Sequence, residues 1–477
     1  MNLPTPTWNK TKIVATMGPA CATESVLHQM VQAGVDVIRV NASHGENEQH
    51  REFIDLVRKL NHQHNLTIPI LFDLQGPKIR VGKLAEPYPV QPGDIIELCT
   101  SITERDGNRL PMDFKQMARD VKPGELVLVE DGRVELTVLE TNGVDTVKLR
   151  VESGTNIGSR KGVNLPFSKL SIPSMTNKDF KDVDFAIEQR VEWIALSFVR
   201  RPEDISSLRS YLQAHDSEAK IIAKIEKPEA LVNIDAIIEA ADGIMVARGD
   251  LGVEIYIEEV PFWQKKIVQK CNMAAKPVIV ATQMLDSMIE NRRPTRAETT
   301  DVANAVLDGA DAVMLSGETS IGKYPVEVVR TMQKIVTQAE LDASVYYRYQ
   351  TVDPASDTFL SDSVCLTAVN LARQIQAKAI VGMTRSGYTA YRTSKFRPEA
   401  NIYIFSDNRD LLTTLNLVWG VRAFYYDSME GTNESIKDTV QFLKDKGYIR
   451  PGDCVINTAS MPLRDRGRTN MVKITVA

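Results

Sequence analysis

Apolar residues in this chain gather into short runs instead of spreading evenly. Eight runs rich in β-branched residues fall at residues 12–16, 35–41, 68–73, 193–198, 220–225, 243–247, 277–282 and 312–315. Short runs that do not alternate with polar residues suit parallel strands covered on both faces. Between them, residues 23–33, 202–215, 228–241 and 297–307 place apolar side chains at helical spacing and carry capping residues. Eight strand–helix units predict an α/β protein with a (β/α)8 TIM barrel ringed by helices. An open doubly wound sheet shares the alternation and is the competing arrangement.

The texture changes twice. From 79 to 165 hairpin signals dominate: Gln91-Pro92-Gly93-Asp94, Lys122-Pro123-Gly124-Glu125, Glu130-Asp131-Gly132 and Asn142-Gly143. Stretches such as 126–129 and 134–139 read as strands of a small inserted β-barrel lid domain. An insertion after the third barrel strand hangs over the strands' C-terminal face, where barrel enzymes keep their active sites. After a polar connector at 342–358, runs at 379–382, 402–405, 421–426, 454–457 and 472–476 predict a smaller C-terminal open α/β domain. The resulting division is barrel 1–78, lid 79–165, barrel 166–342 and C-terminal regulatory domain 343–477.

Composition narrows the classes. Hydrophobic content of 43%, with 25% charged residues over 477 positions, is that of a globular chain of several domains. A net charge of -5 supplies no positive field to recruit nucleic acid or anionic lipid. Cys21, Cys99, Cys271, Cys365 and Cys454 are scattered without metal-ligand spacing and read as reduced thiols. No signal peptide or bilayer-length apolar run is evident, so a cytoplasmic protein with no membrane partner is expected.

Charged and hydroxyl residues collect where the barrel runs end. They are Arg39, Asn41, Ser43 and His44; Asp73, Lys78 and Arg80; Lys224 and Glu226; Arg248, Gly249, Asp250 and Gly252; Thr282 and Gln283; Ser316 and Glu318. A period of two puts Arg39, Asn41 and Ser43 on one strand face, and likewise Lys224 and Glu226. A structural ion-pair network is the bland reading of any one pair. Six clusters at corresponding positions favour a site, since burying charge costs several kcal/mol per group. Glu226 and Asp250 offer oxygen ligands to a hard divalent ion, and no convergent His or Cys set points to zinc. Four cations, Arg39, Arg80, Lys224 and Arg248, outnumber the two carboxylates, a charge set suited to phosphoryl transfer. Gly249, Asp250 and Gly252 present backbone N–H groups where the chain turns toward a helix, a seat for a carboxylate. Neither a Walker A loop nor the protein-kinase motifs are present.

From about residue 11 to the end, with these motifs in this order, the chain resembles the pyruvate kinases. The most specific segments are 39–45, 73–80, 162–166, 223–226, 246–255, 281–284, 294–308 and 314–319. The resemblance implies transfer of the phosphoryl group of phosphoenolpyruvate to ADP, giving pyruvate and ATP, the last step of glycolysis. It implies Mg2+ (with Mn2+ able to substitute) on Glu226 and Asp250. Lys224 and Arg39 would neutralise the phosphoryl group in flight, and Gly249, Asp250 and Thr282 would hold the carboxylate. Arg80 and Lys161 would bind nucleotide phosphates, with Pro19, Asn41 and His44 near the rest of the nucleotide. Thr282, Ser316 and Glu318 would form a water-linked path that protonates the enolate. A homotetramer controlled by a phosphorylated effector is also implied.

Some positions depart from the family. Ala42 replaces a usual Phe, and Phe167 a frequent Gly. Leu74 and Lys78 stand where many members carry Thr and Glu beside a K+ ion held partly by residues matching Asn41, Ser43 and Asp73. The expectation is that the Lys78 ammonium takes the monovalent cation's place and K+ is not required, as in a potassium-independent bacterial subgroup. In the C-terminal domain, Thr384, Arg385, Ser386, Gly387 and Thr389 open a helix after a strand, and Tyr388 replaces a frequent Arg. Such a loop is either a phosphate site or a satisfied N-cap; the resemblance favours the effector site, with Arg464, Arg466 and Arg468 as a second jaw. The competing functions are a Mg2+-dependent barrel lyase acting on oxo-acids and a catalytically dead regulator. A lyase has no need of the lid or Lys161, and a dead regulator would be expected to have lost Lys224 or a metal ligand.

Overall fold

The computed structural model describes residues 8–428, 431–461 and 468–477. Arg464 and Arg466, expected beside the C-terminal loop, lie outside them.

All eight apolar runs form strands of one closed parallel barrel: Lys12–Thr16, Val37–Asn41, Ile70–Asp73, Trp193–Leu196, Lys220–Ile225, Gly243–Ala247, Val278–Ala281 and Ala312–Leu315. Each pairs with the next, and the eighth closes onto the first with Lys12 opposite Ala312. Inward side chains such as Val14, Val37, Leu71, Trp193, Ile222, Met245 and Ile279 fill the lumen, while the outward set packs under the helices. This double burial is why the runs do not alternate with polar residues. Closure decides between the barrel and the open sheet.

Register lines up the strand ends. Thr16 lies opposite Arg39, Asn41 opposite Asp73, and Asp73 opposite Ala195. Helices start where the capping residues stand: Thr23 accepts a hydrogen bond from the Val26 N–H, and Thr295 and Glu298 form a reciprocal capping box. The helix expected over 228–241 is instead two, Pro228–Val232 and Ile234–Ala240. Asn233 breaks it: its side-chain amide donates to the Arg200 and Glu229 carbonyls.

Between the third and fourth barrel strands the chain builds a six-stranded sheet and a two-stranded one around a shared apolar core that includes Ile96, Leu98, Val127, Leu136, Val147 and Leu149. Here burial does alternate, along Val134–Thr141 and Thr146–Ser153, as it must in a sheet with one wet face. The two connecting segments meet in an antiparallel bridge between Arg80 and Gly162.

The last 120 or so residues form a five-stranded sheet whose first four strands are parallel and whose edge strand, Met471–Val476, is antiparallel. This domain closes the barrel's N-terminal end. Leu417 is fully buried in the lumen cluster, and Trp193 donates its indole N–H to the Thr414 carbonyl at 3.3 Å. Arg397 spans the junction, paired with Asp311 at 3.1 Å and lying over the Trp419 ring. No helix among the described residues is long and apolar enough to cross a membrane.

Candidate active site

The charged clusters converge at the C-terminal end of the barrel. Asp73, with no exposed side-chain surface, lies between two cations: the Arg39 guanidinium at 2.7 Å and the Lys224 ammonium at 3.1 Å. Burial alone raises its pKa, but Lys224 and Arg39 outweigh that and hold the carboxyl below its ordinary range. Lys224 also meets Glu226 at 2.9 Å and donates to the Ser197 hydroxyl at 2.7 Å. Burial works against its charge, yet Asp73, Glu226 and Asp250 together lift its pKa above the usual value. These carboxylates favour the charged form of Lys224.

Glu226 is nearly inaccessible and accepts the Phe198 N–H at 2.7 Å. Burial, reinforced by the charge of Asp250, raises its pKa against the pull of Lys224. A buried Glu226 beside the charge of Asp250, at the mouth of a barrel, is a setting that a hard divalent cation relieves. Among the described residues no group of three His, Cys, Asp or Glu side chains stands at metal spacing.

Gly249 and Asp250 lie in the helix Arg248–Glu254, which begins directly after the sixth strand. The Gly249 N–H donates to the Thr282 hydroxyl at 2.8 Å, bringing the two groups expected to share one ligand into contact. A Cβ on residue 249 would come within 3.3 Å of that hydroxyl. Thr282, a β-branched residue, holds φ at +70°, with Gln283 at +54° and Phe198 at +54°. Strain of this kind persists only where surrounding bonds over-determine it. Arg248, counted from sequence among four potential cations, has its own partners: it pairs with Asp301 at 2.7 Å and donates to the Thr282 carbonyl at 2.8 Å. Glu318, buried and raised in pKa by that burial, accepts the N–H groups of Leu285 and Ser316, tying the last two barrel loops together.

The nucleotide-facing candidates are more open. Pro19 and His44 are exposed and Asn41 is half-buried, its side-chain oxygen accepting the Ser43 N–H at 3.1 Å. Burial, then the charges of Lys78, Arg80 and Arg39, lower the His44 pKa. Arg80 donates to the Arg160 carbonyl, and Lys161 pairs with Glu130 at 2.5 Å, both on the lid side. Lys78 is exposed and makes no ion pair with Asp73 among the described residues. Asp73 is paired with Arg39 and Lys224.

A cleft of about 500 Å³, including its open mouth, separates lid from barrel and is lined by Lys78, Asp131, Asn164, Phe198, Lys227 and Asp250, among others. At its floor the lid residue Asn164 donates to Glu254 at 2.7 Å, and Lys227 meets the same oxygen at 2.7 Å. The Phe167 ring lies 6.4 Å from that of Tyr256. Sequence reasoning missed Ser197, Glu254, Asn164 and the pairing role of Asp73. Ser197 had a signal, a hydroxyl at the end of an apolar run; the Asn164–Glu254 contact joins distant segments and had none.

In the C-terminal domain Thr384 accepts the Gly387 N–H at 3.1 Å, and Gly387, at φ +80°, caps the helix Tyr388–Lys395. Arg385 pairs with Asp407 at 3.3 Å, and the Thr389 hydroxyl bonds Thr469 at 2.7 Å. Tyr388 donates to Asp362.

A closed parallel barrel with buried cations and two carboxylates at its mouth, under an inserted β domain, is an arrangement suited to a barrel phosphotransferase. Residues 8–329 match the model of the pyruvate kinase barrel domain, and residues 362–475 that of the pyruvate kinase alpha/beta domain. Pyruvate kinase 2 of Synechocystis sp. is 41% identical over 98% of this chain and 79% of its own length. The pyruvate kinase of Clostridium acetobutylicum is 40% identical over 98% and 99%. A crystal structure of a pyruvate kinase from Cryptosporidium parvum superposes with a TM-score of 0.93 at 35% identity, covering 98% of this chain and 96% of that one. The chain belongs to the pyruvate kinase family. Its reaction is that family's phosphotransfer, with phosphoenolpyruvate and ADP as substrates and pyruvate as a product.

Proposed function

We propose that Lys224 and Arg39, held on Asp73, neutralise the phosphoryl group as it passes from phosphoenolpyruvate to ADP. The observation that carries this reading is the buried Arg39–Asp73–Lys224 chain, with contacts of 2.7 and 3.1 Å. Cations fixed before the substrate arrives need no reorganisation during transfer. Glu226 and Asp250 would hold Mg2+, which when bound supplies positive charge to the transferring group and the enolate oxygen. The Gly249 and Asp250 N–H groups and the Thr282 hydroxyl bind the substrate carboxylate. Arg80 and Lys161 take the nucleotide phosphates, and Pro19, Asn41 and His44 border the rest of the nucleotide. Thr282, Ser316 and Glu318 pass a proton through water to the enolate, Glu318 favoured in that role by the burial that raises its pKa.

Lys224→Met tests the central claim. Turnover should fall by about three orders of magnitude, the scale of losing a fixed charge at a transition state, with phosphoenolpyruvate binding largely kept. Near-normal turnover would remove Lys224 from the mechanism.

K+ is not required in this reading, because Lys78 brings a positive charge to the same mouth, where it already acts on His44. Two unit charges about 5 Å apart at an effective dielectric near 20 repel by roughly 3 kcal/mol, which weakens K+ binding about a hundredfold. Activity in a K+ salt should match that in a tetramethylammonium salt; many-fold stimulation by K+ would contradict it. The loop of Thr384, Arg385, Ser386, Gly387 and Thr389 binds a phosphorylated effector, Arg385 leaving Asp407 for the phosphate. A coupled assay for pyruvate with sugar phosphates and AMP added in turn identifies it.

A further inference from the structure

The two loops that border the nucleotide side of the mouth follow the second and third barrel strands, and neither is held by the barrel alone. Both are gripped from outside by adjacent residues. Lys178 and Asp179 open the helix Asn177–Glu188, the first helix after the chain returns from the lid. The Lys178 ammonium donates to the Ala42 carbonyl at 2.7 Å and is steadied by Asp182 at 2.6 Å. The Asp179 carboxylate, with no exposed surface, accepts the Gly76 N–H at 2.9 Å with one oxygen. With the other it closes the capping box with Thr176. Gly76 needs the grip: its φ is +70°, and a Cβ there would come within 2.8 Å of the Phe198 ring. The Ala42 loop carries Asn41, Ser43 and His44, and the Gly76 loop carries Lys78.

We infer that Lys178 and Asp179 are positioning residues that set these two loops, and hence the ADP side of the site, from the start of one helix. Neither residue needs to touch substrate. Because residues 166–176 lead from the lid straight into this helix, its first turn fixes both loops relative to the point where the lid chain re-enters the barrel. Arg39 and Lys224 take their own side-chain contacts from Asp73, though the Ala42 N–H also donates to the Asp73 carbonyl at 2.9 Å, so the clasp bears on the phosphoenolpyruvate side far less than on the ADP side. The inference rests on the reading that the His44 loop faces the nucleotide.

Lys178 is exposed, so its replacement leaves the fold standing and gives the cleaner test. Lys178→Met should raise the KM for ADP about tenfold, the size of one charge-assisted hydrogen bond, and hold the KM for phosphoenolpyruvate within about twofold. Amide hydrogen exchange at residues 43–45 should quicken in the same variant, and Lys178→Arg, which keeps a donor to the Ala42 carbonyl, should restore both. Unchanged KM for ADP, or a parallel rise for both substrates, overturns the clasp. His44→Ala separates the two readings. If it raises the KM for ADP while Lys178→Met is silent, the clasp fails and the nucleotide assignment stands. If it is silent while Lys178→Met acts on ADP alone, the clasp stands and the assignment of His44 fails.

Discussion

Asp73 and Thr282 make opposite contributions to one site. Asp73 is a buried carboxylate set between two cations, so it fixes where positive charge stands. Thr282 is a neutral hydroxyl held in a strained backbone, tied by its carbonyl to Arg248 and by its Oγ to the Gly249 N–H. It donates to the Ala281 carbonyl at 2.6 Å in the same arrangement. Such a group can order a water or orient a carboxylate, though it is too weak an acid to protonate carbon unaided. If the proton path runs through it, Thr282→Val should slow proton exchange of pyruvate roughly ten times more than it slows phosphoryl transfer. Equal losses in an isotope-exchange assay and a transfer assay would reduce Thr282 to a carboxylate ligand. The candidate residues were legible because each is a polar group ending an apolar run. The pairing of Asp73 was not, since register across three strands decides it.

At the scale of elements, strand ends and helix starts do the positioning. Helix Arg248–Glu254 begins without a loop, so Asp250 and Glu254 are carried by the same short element: Asp250 borders the cleft between lid and barrel, and Glu254 receives the lid through Asn164. The lid therefore has a seat on the element that bears a proposed metal ligand. Asn164→Ala should raise the KM for ADP about fivefold with kcat within about twofold, because one neutral-to-charged hydrogen bond at the seat is lost far from the transferring group. Steady-state kinetics with each substrate varied in turn decides it, and an unchanged KM for ADP would show that the contact is ornamental. The strands themselves were readable from hydrophobicity, since burial on both faces leaves unbroken runs. The break at Asn233 was not, because it depends on the Arg200 carbonyl lying within reach of a side chain 33 positions away.

Over the whole molecule, the C-terminal domain is a stopper as well as a neighbour. Leu417 enters the barrel lumen from below, and Lys12, at the start of the first barrel strand, reaches the Val421 carbonyl at 2.9 Å. Burial pushes the Lys12 pKa down from 10.5 to about 8, outweighing Asp36 at 3.8 Å. Since the folded value lies below the unfolded one, the unfolded chain holds more protons between them, and this lysine's contribution to stability rises as pH climbs through that window. Wild type should therefore gain on Lys12→Met from about pH 8 to 10, by at most about 1.4 kcal/mol per pH unit. Denaturant unfolding at several pH values measures this; a flat difference would mean the ammonium is better solvated than its surroundings suggest.

Sequence by itself determined the eight apolar runs, the hairpin-rich insert, the C-terminal strands and the polar groups at the run ends, because local burial and turn chemistry write those directly into residue order. Tertiary structure decided what no local rule encodes: that the sheet closes, that Asp73 pairs with both Arg39 and Lys224, that Arg248 turns to Asp301, and that Leu417 plugs the barrel. Each of these joins groups far apart in the chain. Each is settled by register, reach and competition for a counter-charge, and those exist only once the chain has folded.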